Sequence, residues 1–245
     1  MRTLDQLGLE PADELLVRRC LREPQGLVIV GGPHASGVRT SLAAMLGAAR
    51  MHASAHQRRS LAAIALNDDT SAHRPLRAAL ASIPQGCLVL AQAHLERAAH
   101  AFAACRELGV APDRLARHLL FVLVQRLVPA LCPACRVVDT SAHSRKALAR
   151  ACNSWLMGEA VHACAVAAQA CANCLGTGYA GRALVYELLL LDSGVRTLAE
   201  AGVIGLEMEQ ALFADGRSLW DHGLRRVCRG QIALGDLQRA VREPV

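Results

Sequence analysis

Aromatic residues are scarce in this 245-residue chain: three Phe, two Tyr and two Trp, 3% of the whole. Reading bases by stacking needs aromatic faces, and the arginines are spread along the chain rather than massed, so no specific nucleic-acid partner is expected. Long apolar runs are missing too. The most apolar stretch, Leu115 to Leu131, is interrupted by Arg117, His118, Arg126 and Pro129. It falls short of the run of about 18 residues that a spanning helix needs. Met1 to Glu10 is mixed and polar, not a basic flank leading into an apolar core. These absences predict a soluble, cytoplasmic chain, in which the ten cysteines point to metal ligation before disulfides.

What is present is a 53% apolar composition dominated by Ala and Leu, ample for a core in which helices cover a sheet. The formal charge of +6 is compatible with acidic partners or an anionic membrane face. The stretch that organises the rest is Gly26 to Leu42, GLVIVGGPHASGVRTSL. An apolar run enters a glycine-rich turn, and a helix-forming segment leaves it. That order builds a phosphate loop, in which backbone N–H groups and the positive end of a helix face an anion. The strict pattern, G-x-x-x-x-G-K-[ST], uses Lys for the β- and γ-phosphates and a hydroxyl for Mg²⁺. Gly32 and Gly37 hold the glycine positions around Pro33, His34, Ala35 and Ser36, but Val38 replaces Lys and Arg39 replaces Ser/Thr.

Around this loop the chain alternates short apolar runs with helices, which predicts an α/β fold with a mainly parallel sheet. Helices are expected from Pro11, over Thr40–Met51, Leu76–Ala81 and Glu96–Leu108, and as one long apolar helix over Asp113–Val128. Strands are expected at Leu61–Leu66 and Cys87–Leu90. Asn67-Asp68-Asp69, after the first, either turns the chain or orients water and Mg²⁺. His94 follows the second, at the edge where ligands gather in open sheets; a surface histidine is the plainer reading. Ala183–Leu191 reads as a return strand, followed by helices at Glu207–Phe213, Leu219–Arg229 and Ile232–Val241. Arg225, Arg226 and Arg229 read as a solvated face.

Cys132-x-x-Cys135 and Cys171-x-x-Cys174 are two knuckles 35 residues apart, with a helical insert over Thr140–Ala168 between them. Four thiolates make a closed tetrahedral zinc site with no open position, which is a structural site. Ordinary cysteines or a redox pair are the alternatives. Cys20, Cys87, Cys105, Cys152, Cys164 and Cys228 read as apolar filler. The domain reading is a phosphate-loop core over 1–131, a four-cysteine module over 132–174, and a return strand with C-terminal helices over 175–245.

The segments LDQLGLEP, GLVIVGGPHASG, GCLVLAQAHLERAAHAF, ELGVAPDRL, LVQRLVPALCPAC, CANCLGTGYAGRALVYELLLLD and DGRSLWDHGLRRVCRGQIALGDL follow one another in order. In that order the chain resembles the C-terminal motor domain of the type II secretion and type IV pilus assembly ATPases, everywhere except roughly Met51 to Ser82. The resemblance implies a RecA-like phosphate-loop core and cytoplasmic hexamers beneath an inner-membrane platform, with ATP and Mg²⁺ driving pilus or pseudopilus assembly. It also implies homo- or hetero-oligomers with ATPase paralogues. Carried over residue by residue, Gly32 to Gly37, with Val38, Arg39 and Thr40, match the nucleotide loop. His94 matches the histidine that senses nucleotide state, and Cys132, Cys135, Cys171 and Cys174 match the metal cysteines. The departures cluster on the chemistry. Besides Val38 and Arg39, no segment reads as the family's D-x-(apolar)₃-G-E strand. Either it is deleted, or LRAALASIPQGCLVLAQAHL replaces it with Ile83, Gln85 and Ala91 where acids belong. The family's N-terminal domain, which supplies arginines across subunits, is not expected in this chain.

Three functions compete. The favoured one is a degenerate family member, a non-hydrolytic or impaired subunit or regulator of a secretion or pilus machine. The second is an active motor using Arg39 as its cation and Thr40 for Mg²⁺; the planar guanidinium is a poor substitute for a point charge. The third is a zinc-stabilised adaptor or nucleic-acid-binding protein with a vestigial loop.

Overall fold

The computed structural model describes residues 2–52, 60–65, 73–152, 163–167, 171–203, 206–213 and 218–241. The chain clusters into two units: one from residues 1–125 and 187–214, the other from 126–186 and 215–245.

In the first unit, α1 (Pro11–Cys20) opens with proline in its first turn and carries an Arg18–Glu14 ion pair one turn apart. It precedes β1 (Gly26–Gly31), in which every residue is buried. Helix α2 (Val38–His52) leaves the loop after β1, and β2 (Ser60–Ala65) follows. Next come α3 (His73–Ser82), a 3₁₀ turn (Ile83–Gln85) and β3 (Cys87–Ala93). Helices α4 (His100–Glu107) and α5 (Pro112–His118) lead into β4 (Leu119–Leu131). In the second unit, β5 (Val137–Val138), α6 (Ala142–Cys152) and β6 (Cys164–Ala165) lie between the cysteine knuckles. Strand β7 (Tyr179–Leu190) then leads into α7 (Ser193–Glu200) and α8 (Leu206–Phe213) of the first unit. The chain closes in the second unit with α9 (Leu219–Cys228) and α10 (Leu234–Ala240).

The main sheet has the order β2-β3-β1-β4-β7, and β1 pairs in parallel with both β3 and β4, as β2 does with β3. The α/β fold with a mostly parallel sheet is therefore as expected. The register sets Ala65 against Gln92 and Gly31 against Ala93, so β1, β2 and β3 end at one edge. Ligands of open α/β sheets collect outside that edge.

One expected helix is wrong. Asp113–Val128 divides at His118 into the short α5 and the thirteen-residue β4. Phe121 to Gln125 are five consecutive buried residues, covered on both faces. Such a central strand shows no alternation, so periodicity cannot tell it from a buried helix. Among the insert's described residues, α6 covers Ala142–Cys152, and Cys164–Ala165, expected to be helical, pairs antiparallel with Val137–Val138. The expected Glu96–Leu108 helix starts only at His100. Asn67-Asp68-Asp69 lies outside the described residues.

Candidate functional site

The loop after β1 is shaped by its backbone. Ala35 (φ 60°) and Gly37 (φ 84°) take the left-handed conformation, which glycine adopts freely and alanine only when its neighbours hold it there. Gly32 is fixed by proximity: a β-carbon there would stand 2.6 Å from the Gln125 carbonyl oxygen and against Ser36 Oγ. The Gly32 amide donates to the Ala93 carbonyl at 3.3 Å, tying the loop to the end of β3.

Gln125, in β4, is the loop's clamp. Its side-chain amide donates to the Ser36 carbonyl at 2.8 Å, and its carbonyl accepts from Ser41 Oγ at 2.8 Å. The residue is buried, so both bonds form away from water, where an unmade one costs about 1–3 kcal/mol. A second buried polar side chain holds the segment after β3. Glu187 of β7 accepts from Arg97 Nε at 2.9 Å and from the Ala98 amide at 2.6 Å, and Arg97 also pairs with Glu209 of α8. Neither Gln125 nor Glu187 was a sequence candidate. The signal was there: Glu187 is a lone charge inside an apolar run, and Gln125, next to Arg126, interrupts another, each run forming a strand with a buried centre.

At the loop lies a cavity of about 500 Å³, lined by residues 32–39, Ala65, Gln92, Ala93 and His94. The structure thus brings His94 to the loop. His34, Arg39 and His94 are exposed at the cavity, whereas the Val38 side chain is buried, with 7% exposure. Thr40 is exposed but does not line the cavity, and the Ser41 hydroxyl is engaged by Gln125. Ser36 Oγ, in a residue 4% exposed, has no hydrogen-bond partner. Among the described lining residues none is acidic. The positions weighed as replaced acids divide: Ile83 and Gln85 precede β3, at the strand end opposite the cavity, and Ala91 is buried in it. The chain's single lysine, Lys146, belongs to α6 of the second unit.

In the second unit, Cys132, Cys135, Cys171 and Cys174 converge, with all four sulfurs within 4.8 Å of one another. Cys132–Cys171, Cys135–Cys174 and Cys171–Cys174 are 3.7, 3.8 and 3.5 Å apart. A disulfide would need about 2.05 Å. Four sulfurs at about 2.3 Å from a tetrahedral zinc stand about 3.8 Å from each other, so the residues fit that ion. The local chain makes this geometry: Leu175 (φ 50°) and Gly176 (φ 84°) reverse the backbone after the second knuckle. The Cys132 amide donates to the Gly178 carbonyl at 2.9 Å, and the Gly178 amide donates to Cys174 Sγ at 3.2 Å. Backbone hydrogen bonding at Cys171, then at Gly178, brings the Cys174 thiol down to about 6. Hydrogen bonding with Cys171 pushes Cys135 up to about 12. Gly178 has no room for a side chain, because a β-carbon would collide with Val166 beside β6. Cys105, buried and pushed up to about 12 by desolvation, is filler as expected, and Cys87, Cys164 and Cys228 are buried outside the cluster.

Residues 72–239 match the family described as type II/IV secretion system protein. That match takes in His94, β4, the four cysteines and the C-terminal helices, while the phosphate loop precedes it. Among curated relatives, the type II secretion system protein HxcR of Pseudomonas aeruginosa is 29% identical over 98% of this chain and 54% of its own length. The type II secretion system ATPase E of Vibrio cholerae is 27% identical over 98% of this chain and 53% of its own. The chain thus spans about half the length of these relatives. Among solved structures, the pilus retraction motor PilT with bound ADP superposes with a TM-score of 0.62 at 16% identity, covering 100% of this chain and 68% of that one. The Legionella pneumophila ATPase DotB gives 0.59 at 11%, over 97% and 64%. At such identities these likenesses show the shared α/β fold. No described helix is long and apolar enough to cross a membrane.

Proposed function

The chain belongs to the type II/IV secretion system protein family, and from that premise we propose that it is a non-hydrolytic or impaired member, a subunit or regulator of a secretion or pilus machine. The observation that carries this reading is the phosphate loop's lost cation. Val38 stands in the Lys position with its side chain buried, and no other lysine lies in the same unit. Phosphoryl transfer rests almost wholly on positioned charge: the loop Lys, Mg²⁺ with its carboxylate, and a group that orients water. Removing one such group commonly costs about 3–4 kcal/mol of transition-state stabilisation, and here more than one is missing among the described lining residues. The part of the molecule outside the loop supports a working scaffold, because the clamp at Gln125 and the cysteine cluster are both formed. We read the cluster as a structural zinc site, and the protein as a cytoplasmic partner of an inner-membrane assembly, alone or with ATPase paralogues.

The active-motor reading keeps one observation in its favour, since Arg39 lines the cavity. Its other element, Thr40, stands outside the lining. Steady-state ATP hydrolysis separates the two. The pure chain is expected to show no turnover above background, alone or after Arg39→Ala, and to alter the rate of an active family member mixed with it. Turnover by the pure chain that Arg39→Ala abolishes would overturn the proposal.

A further inference from the structure

The donor set of the cavity has a chemistry of its own. Among the described residues that line it, the polar groups give hydrogen bonds or positive charge, or are a neutral amide: the loop N–H groups, Ser36, His34, Arg39, His94 and Gln92. The fifteen-residue α2 directs its N-terminus there through Gly37, Val38 and Arg39. Independently, Ser36 presents a buried hydroxyl with no protein partner, which a bound oxyanion would satisfy. Mg²⁺ asks for the opposite: a compact set of oxygen ligands, with a carboxylate or hydroxyl from the protein beside the phosphates. Thr40 is outside the lining, Ser41 is spent on Gln125, and no carboxylate lines the cavity among the described residues. The described residues do not fit that ion.

Resting on the reading of this loop as a family nucleotide site, we infer that it takes the phosphate chain of a nucleotide as a bare oxyanion, without Mg²⁺. Arg39 and the imidazoles of His34 and His94 hold the place that Lys and the metal hold in the strict pattern. Arg39 grips the terminal phosphate, and Ser36 Oγ donates to an oxygen beside the loop amides. Mg²⁺ halves the charge of a triphosphate, so in a receptor made of a guanidinium, imidazoles and N–H groups it weakens the attraction it strengthens elsewhere.

Titration calorimetry on the whole chain tests this, with ATP and with inorganic pyrophosphate, each in EDTA and in excess Mg²⁺. ATP is expected to bind at least about threefold more tightly in EDTA, and pyrophosphate to bind as well. Arg39→Gln should weaken binding in EDTA by about fivefold or more, and Ser36→Ala by about twofold or more, with the thermal midpoint of Arg39→Gln unchanged because that side chain is exposed. Equal or tighter binding with Mg²⁺ overturns the inference. So does pyrophosphate failing where ATP binds, Arg39→Gln keeping full affinity, or neither ligand binding at millimolar concentration. Turnover is a separate readout: its appearance would overturn the non-hydrolytic reading and leave a metal-free site standing. Mg²⁺-strengthened binding without turnover would do the reverse.

Discussion

The phosphate loop and the cysteine cluster have met sequence change in opposite ways. At the loop the backbone is intact while the side chains that do chemistry differ: Gly32, Gly37 and the start of α2 stand in place around Val38 and Arg39. In the cluster all four functional atoms are side-chain sulfurs, and all four are together. The difference follows from where each function resides. A cradle of amides and a helix N-terminus belongs to the main chain, and it survives substitutions that a catalyst does not. A tetrathiolate site belongs to its side chains, so one loss ends it. An intact cluster beside an altered loop is what a retained scaffold role, rather than retained turnover, would leave.

The sharpest way to break that contrast is Cys174→Ser. With zinc in the cluster, the substitution removes one ligand and the sulfur that receives the Gly178 amide. Metal binding in such modules is largely folding free energy, so the expected loss is on the order of 5 kcal/mol. Elemental analysis should show zinc falling from one per chain to a small fraction, with early protease cleavage within 126–186. The loop substitution Val38→Ala should leave zinc and cleavage as they are. A metal-free preparation of the unaltered chain that resists the protease equally would end the zinc reading.

How much of this was legible beforehand depended on whether the signal was local. Glycines and a helix start identify the loop from adjacent residues, and paired C-x-x-C knuckles announce themselves. β1 and β3 were readable because Gly26 and Gly86 punctuate short apolar runs. β4 was not. Phe121 to Gln125 are buried on both faces, so the run has neither a helical stripe nor alternation, and its neighbouring strands, β1 through Val28 to Gly31 on one side and β7 on the other, decide its form. Gln125 and Glu187 were missed for the same reason. Their partners, Ser36 and Ala98, stand 89 residues away in sequence, so a polar residue in an apolar run shows that a bond exists but not to what.

The loop's own weak point is the clamp, and Gln125→Leu tests it with a smaller effect. Leucine fills similar space but leaves the Ser36 carbonyl and the Ser41 hydroxyl without their buried partner. Two orphaned groups cost about 2–4 kcal/mol together. Urea unfolding should record that loss while zinc content stays at the wild-type level, since the damage belongs to the first unit. Zinc loss from this variant would show that loop and cluster are not separable, and the contrast between them would fail.

Acid divides the two regions with the smallest effect per step. His222 of α9 is buried and accepts from the Tyr186 amide through Nδ1 at 3.4 Å. Burial, then the charges of Arg226, Arg225 and Arg229, lowers it from 6.5 to about 3. The unfolded chain therefore binds a proton between those values that the folded chain refuses. Stability from this group is whole above about pH 6.5 and declines as pH falls toward 3, by about 1.4 kcal/mol per pH unit at the steepest. With zinc in the cluster, acid also protonates thiolates and releases metal, and the wild-type slope then mixes two causes. His222→Asn separates them, because it removes the titrating ring and leaves the cysteines untouched. Its unfolding free energy between pH 6.5 and 5 should vary less than that of the wild type by about one proton's worth of slope, in zinc-saturated buffer. An unchanged slope would assign the acid sensitivity to the cluster, and the second unit would then owe its pH response to four sulfurs rather than to the buried imidazole.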